Sequence, residues 1–292
     1  MRPYLSRYGT IFVEKRQNGG KMIGAIIGDT IGSIYEFDNF KTKDFDFWGE
    51  GIEPTDDSVL TFATANWLLH GGEAWQHYCD FATEYDNPMG EYGSGFLQFV
   101  ANARRGRKPQ PYNSCGNGSA MRVGPVGWAF DTMDEVLEWA KVSAECSHNH
   151  PEGIKGAQAT TASILLARKG ADKTAIKKFI EGEFGYDLDF TLDELRPLYG
   201  WDFYGASQCQ GTVPQAIRCV LEATDFEDAI RNAVSLGGDS DTLACIAGSI
   251  AEPLFGVPQA MYTHEVNILK ALFPKLQKLL VEFEKKYGNR VI

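Results

Sequence analysis

The chain has 292 residues, 43% of them hydrophobic and 12% aromatic, with 39 acidic against 28 basic side chains and a formal net charge of −11. This is enough apolar material for one large core, and it lacks the composition of a disordered chain. The negative charge argues against non-specific nucleic-acid binding, which depends on Lys and Arg neutralising phosphates.

Six cysteines stand at 79, 115, 146, 209, 219 and 245, with no C-x-x-C spacing. They read as reduced, partly buried thiols of a cytoplasmic protein, not as a disulfide framework or a zinc site. No apolar run reaches membrane-spanning length, so no membrane partner is expected. Residues 1–21 are basic and polar, have no signal-peptide stretch, and read as an N-terminal extension open to disorder. Met22 precedes the first strong helical pattern and is a second candidate start. One domain is expected over 22–292.

The first predicted helix runs from Met22 to Glu36. Gly24, Gly28 and Gly32 fall four apart on one face. A glycine in a helix interior costs about 1 kcal/mol against alanine. Three in register therefore predict a face that another backbone approaches closely. Asp29 and Glu36 interrupt the segment, which argues against a membrane helix. Glu36 lies between Tyr35 and Phe37. Desolvation there would raise its pKa and suit it to acid or base work, although a surface glutamate at a helix end looks the same.

Phe45 to Trp48 is aromatic but too short for a strand, and period-two alternation is nearly absent elsewhere. Thr55-Asp56-Asp57 leads into a helix over 58–70, stopped by Gly71-Gly72. Its plain reading is a helix cap with acids in the first turn. A cap needs only one such side chain, and two carboxylates with a hydroxyl also make an oxygen-only site suited to magnesium or manganese. Ser114 to Arg122 holds small residues and turn formers before a helical stretch. Either it is a simple glycine-rich turn, or its backbone N–H groups cradle phosphate. It matches no Walker loop and no dinucleotide fingerprint.

Met133 to Ser147 carries apolar residues at 133, 136, 137, 140 and 144, a helical stripe. His148 and His150 follow. Without an acid or cysteine at ligand spacing they read as a polar loop, or as a histidine bonding a substrate ribose or phosphate. Pro151 starts a helix that runs to Lys169 and ends at Gly170. Further helices are predicted at 173–182, 213–223, 225–235 and 241–251. The region 184–212 reads as a long loop. The tail over 266–287 is helical with a break near Pro274.

Gly237-Gly238-Asp239-Ser240-Asp241-Thr242 opens the helix at 241. It too could be a cap. Two Asp-rich helix starts in one chain change the reading. If the fold brings them together, four carboxylates raise each other's pKa unless cations neutralise them. Two divalent ions do that economically.

Taken in order, GAIIGDTIGSIYEF, PTDDSVLTFATANWLL, SCGNGSAMRVGPVG, SHNHPEGIKGA and GGDSDTLACIAGSIA resemble the ADP-ribosylglycohydrolase family. The likeness runs from about Met22 to Gly256. It implies an all-α fold of a single compact multi-helix domain, and hydrolysis of the N- or O-glycosidic bond between ADP-ribose and an acceptor. It also implies two divalent cations, Mg2+ or Mn2+, on Thr55, Asp56, Asp57, Asp239, Asp241 and Thr242. The loop of Gly116, Asn117, Gly118, Ser119 and Met121 would hold the diphosphate and nearby ribose, with His148 at the cleft. Glu36 matches a flap glutamate near the scissile bond and, with Asp56, is a candidate catalytic acid or base. Tyr204 is a candidate for adenine stacking. The substrate would be an ADP-ribosylated protein, nucleic acid or small molecule. Two other readings stay open: a metal-dependent nucleotide phosphohydrolase, and an inactive ADP-ribose-binding module of the same fold.

Overall fold

A computed structural model describes residues 22–203 and 205–288, and the expected extension over 1–21 lies outside them. Helix α1 (Ile23–Gly32) ends in a short 3-10 turn, Ser33–Tyr35. Then come α2 (Asp56–His70), α3 (Ala74–Glu84), α4 (Ser94–Arg104), α5 (Gly118–Met121) and α6 (Gly124–Ala129). The middle of the chain forms α7 (Met133–Glu145), α8 (Pro151–Arg168), α9 (Lys173–Phe184) and α10 (Leu192–Leu195). The last five are α11 (Cys209–Glu222), α12 (Phe226–Leu236), α13 (Ser240–Phe255), α14 (Gln259–Leu272) and α15 (Pro274–Tyr287). Among the described residues no strand forms. Two isolated bridges occur, Thr55 with Met89 and Gly116 with Gln208, both at loops that reappear below.

The glycine face of α1 packs on α13, as the spacing predicts. A Cβ at Gly28 would stand 2.0 Å from the Ala244 carbonyl oxygen, and one at Gly32 would stand 2.4 Å from the Asp241 Cα. At the other end, Gly248 returns the relation, with the Gly24 carbonyl oxygen 2.0 Å from its Cβ position. The two backbones touch along the crossing, so any side chain there must push them apart. Every residue of α1 is buried, and α13 is buried from Ser240 to Pro253. Helices α8, α11 and α12 pack around α13 and complete the core.

Buried polar groups on α1 find partners on the C-terminal helices. The Gly24 N–H, which has no acceptor within its own helix, donates to Glu252 Oε2 at 2.9 Å. Thr30 Oγ1 donates to Glu265 Oε1 at 3.0 Å, and Glu265 is fully buried. Burial pushes the Glu265 carboxyl up to about 8, against the opposing pull of the Thr30 hydrogen bond.

The predicted helices at 58–70, 133–147 and 151–169 form within two residues of those bounds. The tail breaks at Phe273, where α15 restarts on Pro274. Four differences are local. The last turn before Glu36 tightens to 3-10, with Ser33 Oγ donating back to the Thr30 carbonyl. Helices α3 and α4, which the sequence did not predict, start after Glu73 and Gly93 without any side-chain cap. Helix α11 begins at Cys209, a turn before the expected 213, because Pro214 sits inside it and not at its first position. The 184–212 segment also holds α10, closed by a capping box of Thr191 and Glu194.

Candidate active site

Thr55 caps α2, its Oγ1 accepting from the Asp57 N–H at 3.2 Å. The same hydroxyl donates to Asp29 Oδ1 at 2.6 Å. The other Asp29 oxygen accepts the Thr55 N–H at 2.9 Å, the Ser58 N–H at 3.0 Å and the Ser58 hydroxyl. Asp29 is therefore the anchor of the first acidic cluster, which sequence reasoning missed. Its one signal is a lone carboxylate inside a glycine-faced apolar helix.

The second cluster is set differently. Gly237 and Gly238 both have positive φ, at 72° and 67°. Asn39 brackets this turn: its Oδ1 accepts from the Gly238 N–H at 2.6 Å, and its Nδ2 donates to the Glu36 carbonyl at 2.8 Å. The Lys41 ammonium donates to the Tyr199 and Leu236 carbonyls beside it. Asp239 stands at the N-cap of α13, beside the Thr242 N–H and hydroxyl of that helix. Its Oδ2 also accepts from Asn117 Nδ2 at 2.7 Å. The Asp239 loop is thus tied to both the Glu36 segment and the glycine loop.

The two clusters meet. Oxygens of Glu36, Asp239 and Asp241 lie within 4.8 Å of one another, and all three residues are buried. Gly90 fits between: a Cβ there would stand 3.1 Å from Glu36 Oε2 and 3.7 Å from both Asp241 Oδ2 and Thr55 Cβ. Glu36 thus lies inside the acid cluster. Glu36 Oε2, Asp57 Oδ2 and Asp241 Oδ1 are buried without a hydrogen-bond partner.

Electrostatics follow from this crowding. Burial first, then the neighbouring carboxylates, holds Asp56, Asp57 and Asp241 well above the usual carboxylate range. Burial, Asp239 and Asp29 push Glu36 up to about 8. Burial raises Asp29 to about 6, opposed by the Ser58 and Thr55 hydrogen bonds. Burial also raises Asp239, opposed by Asn117. Orphaned carboxylate oxygens in a hard, oxygen-only donor set fit divalent cations such as magnesium or manganese.

A cavity of about 510 Å³ opens beside the cluster, lined by Glu36, Asp56, Asp57, Asp239, Asp241 and Thr242 on one side. Gly116, Asn117, Gly118, Met121 and His148 line another wall. Cβ atoms at Gly118 and Gly116 would stand 3.0 and 3.6 Å from His148 Nε2, so the glycines admit the imidazole. The loop is less open than its sequence suggests. The Gly116 N–H donates to Ser114 Oγ, and the Asn117 N–H to the Ser207 carbonyl. The Gly118 and Ser119 N–H groups open α5, where helix geometry gives no internal acceptor.

Other expected site residues fall elsewhere. The Ser119 hydroxyl donates to the Gly153 carbonyl at 2.8 Å and does not line the cavity. Thr55 stays behind the cavity wall, against Asp29. His150 caps α8, accepting from the Glu152 N–H. Tyr204 lies outside the described residues. Sequence reasoning missed Phe37 and Trp201, which line the cavity with stacked rings, 6.2 Å between centroids and 10° between planes. Phe96 and Tyr112 also line it.

The sequence pattern of the ADP-ribosylglycohydrolases matches residues 17–260. The chain belongs to the ADP-ribosylglycohydrolase family. It is 26% identical to the ADP-ribosylhydrolase ARH3 of Mus musculus, over 82% of this chain and 84% of that protein. It is 24% identical to the ADP-ribosylarginine hydrolase Tri1 of Pseudomonas putida, over 82% of this chain and 70% of that protein. The fold resembles a solved ADP-ribosylglycohydrolase-related protein complex, with a TM-score of 0.65 at 21% identity, over 92% of this chain and 96% of that one. Among the described residues no helix is long and apolar enough to cross a membrane.

Proposed function

We propose that this family member hydrolyses the glycosidic bond between ADP-ribose and an acceptor, with two divalent cations, magnesium or manganese, as resident cofactors. One observation carries the reading: the crowded carboxylates border the same cavity as the glycine loop and His148. Thr55, Asp56, Asp57, Asp239, Asp241 and Thr242 would hold the cations. When bound, such a pair neutralises the carboxylates and supplies Lewis acidity towards a ribose hydroxyl and a water.

The chain's own groups supply the rest. The Gly118 N–H and His148, both on the cavity wall, suit oxygens of a diphosphate or ribose. Tyr112, with its ring centroid 5.5 Å from that of His148, offers a flat face nearby, and Tyr204 remains a candidate for adenine. Burial, the larger cause, favours a proton on Glu36 even where cations offset the Asp239 charge. Glu36 can give that proton to the leaving group and take one back from water as an oxocarbenium-like transition state collapses. Asp56, the least buried acid of the cluster, is the second candidate for that role.

Arginine-, serine- and nucleic-acid-linked ADP-ribose and O-acetyl-ADP-ribose form the test panel, with products separated by mass. The expected product is free ADP-ribose, lost in excess EDTA and restored by magnesium or manganese. Release of phosphate or AMP would replace this reading with a phosphohydrolase. Binding of ADP-ribose without turnover on any substrate would replace it with a binding module.

A further inference from the structure

Arg122 follows the last residue of α5 and is fully buried. Among the described residues no acid lies within ion-pair distance of it. Its Nη2 donates to the Ser143 carbonyl and to Ser147 Oγ, each at 2.8 Å. Its guanidinium lies 4.0 Å from the centroid of the Tyr78 ring, and its Nε and Nη1 make no hydrogen bond. A buried cation without a carboxylate is costly unless it acts on a neighbour. The neighbour is one hydrogen bond away: Ser147 Oγ lies 2.8 Å from His148 Nδ1.

Proton bookkeeping along this chain has one economical solution. A guanidinium only donates, so Ser147 Oγ receives from Arg122. The serine's own proton then has His148 Nδ1 as its close acceptor. Nδ1 is left without a proton, and the ring proton sits on Nε2. That atom faces the Gly116 and Gly118 positions in the cavity wall.

We propose that Arg122 and Ser147 are positioning residues that hold His148 as the neutral Nε2–H tautomer, aimed as a hydrogen-bond donor at a substrate oxygen on the Gly116–Gly118 loop. Burial and the Arg122 charge both hold the imidazole well below its ordinary range. His148 therefore donates a hydrogen bond to bound ligand and does not shuttle protons at neutral pH. The identity of that oxygen, a diphosphate or ribose oxygen, rests on the function proposed above. The tautomer does not.

The test is 15N spectroscopy of histidine-labelled protein at pH 7, with the His148 signals assigned by their loss in His148→Gln. The wild type should show a protonated Nε2 and a bare Nδ1. Ser147→Ala should give a mixture of tautomers. It should also raise KM for an ADP-ribosyl substrate by the inverse of the fraction left as the Nε2–H tautomer, about twofold for an even mixture, with kcat unchanged. Arg122→Met, which cannot donate to Ser147, should also give mixed tautomers, and its folding is checked by thermal melting. A wild-type ring protonated on Nδ1 or on both nitrogens overturns the relay. So does a Ser147→Ala protein with the wild-type tautomer. Failure of the wild type to bind or cleave any ADP-ribosyl compound counts against the proposed function alone, since the ring signals still decide the relay.

Discussion

Asp29 and Thr55 are joined twice across 26 positions, the Asp29 carboxylate accepting both the Thr55 N–H at 2.9 Å and the Thr55 hydroxyl at 2.6 Å. The pair joins α1, whose place is set by glycine contact with α13, to the loop that presents Asp56 and Asp57. The first acidic cluster is thus aimed by a residue that does not line the cavity.

Asp29→Asn tests that anchor. The amide replaces an acceptor oxygen with a donor facing donors, in a fully buried site. A loss of about 2–4 kcal/mol in urea unfolding is expected, the scale of breaking a charge-assisted buried network. The cation-dependent rise in Tm should shrink with it. A wild-type urea midpoint would show that the four hydrogen bonds are not what places α2.

Cation binding and charge repulsion make opposite predictions for Asp57. Its carboxyl is raised by burial and by Asp29, Asp56 and Asp239. A raised acid destabilises the fold at pH values above its unfolded pKa, which includes pH 7. Asp57→Asn should therefore be more stable than the wild type in EDTA. In saturating manganese the order should reverse, because the wild type gains about 2.7 kcal/mol at a hundred times Kd and the variant gains little. Differential scanning with and without metal reads both. Equal melting curves in EDTA would remove the repulsion argument.

Local patterns were legible where one residue type has one use. Three glycines four apart foretold a close backbone approach to α1, though not that α13 makes it, and Thr55 foretold the start of α2. Pro151 foretold α8. The acidic runs were legible only as a pair, because each alone also reads as a helix cap. Helices α3 and α4 were not predicted, and a missing cap does not set them apart, since α1 and α11 lack one too. The anchoring roles of Asp29, Asn117 and Arg122 were missed for a different reason. Their partners lie 26, 122 and 25 positions away, and nothing in a local window marks a residue whose use is to hold a distant one.

Substitution of glycine separates packing from backbone propensity. Gly28→Ala puts a Cβ 2.0 Å from a backbone oxygen of α13, which cannot rotate away. A loss of about 3 kcal/mol or more is expected, at or beyond the upper end of overpacking costs. Gly182 lies within α9 with nothing within 4 Å of its Cβ position. Gly182→Ala should gain about 0.5–1 kcal/mol from helix propensity. Urea denaturation of both variants checks the pair. If Gly28→Ala is tolerated as well as Gly182→Ala, the helices are not in backbone contact.

Glu265 gives a pH dependence that can be isolated from the metal cluster. Its folded carboxyl is held at about 8 against an ordinary value of 4.5, chiefly by burial. Between those values the native state binds a proton that the unfolded state has released. The stability this group contributes is complete below about 4.5, is lost as pH rises towards 8, and stays lost above it. Within that window the slope approaches 1.4 kcal/mol per pH unit. Glu265→Gln keeps an oxygen to accept from Thr30 Oγ1 and has no proton to lose. The difference in unfolding free energy between the two proteins, taken at pH 5, 6, 7 and 8, cancels the acids they share. It should grow in favour of the glutamine at each step. A difference that is flat over this range would mean that Glu265 is ionised in the folded protein and that its second, unpartnered oxygen, Oε2, meets water or a cation.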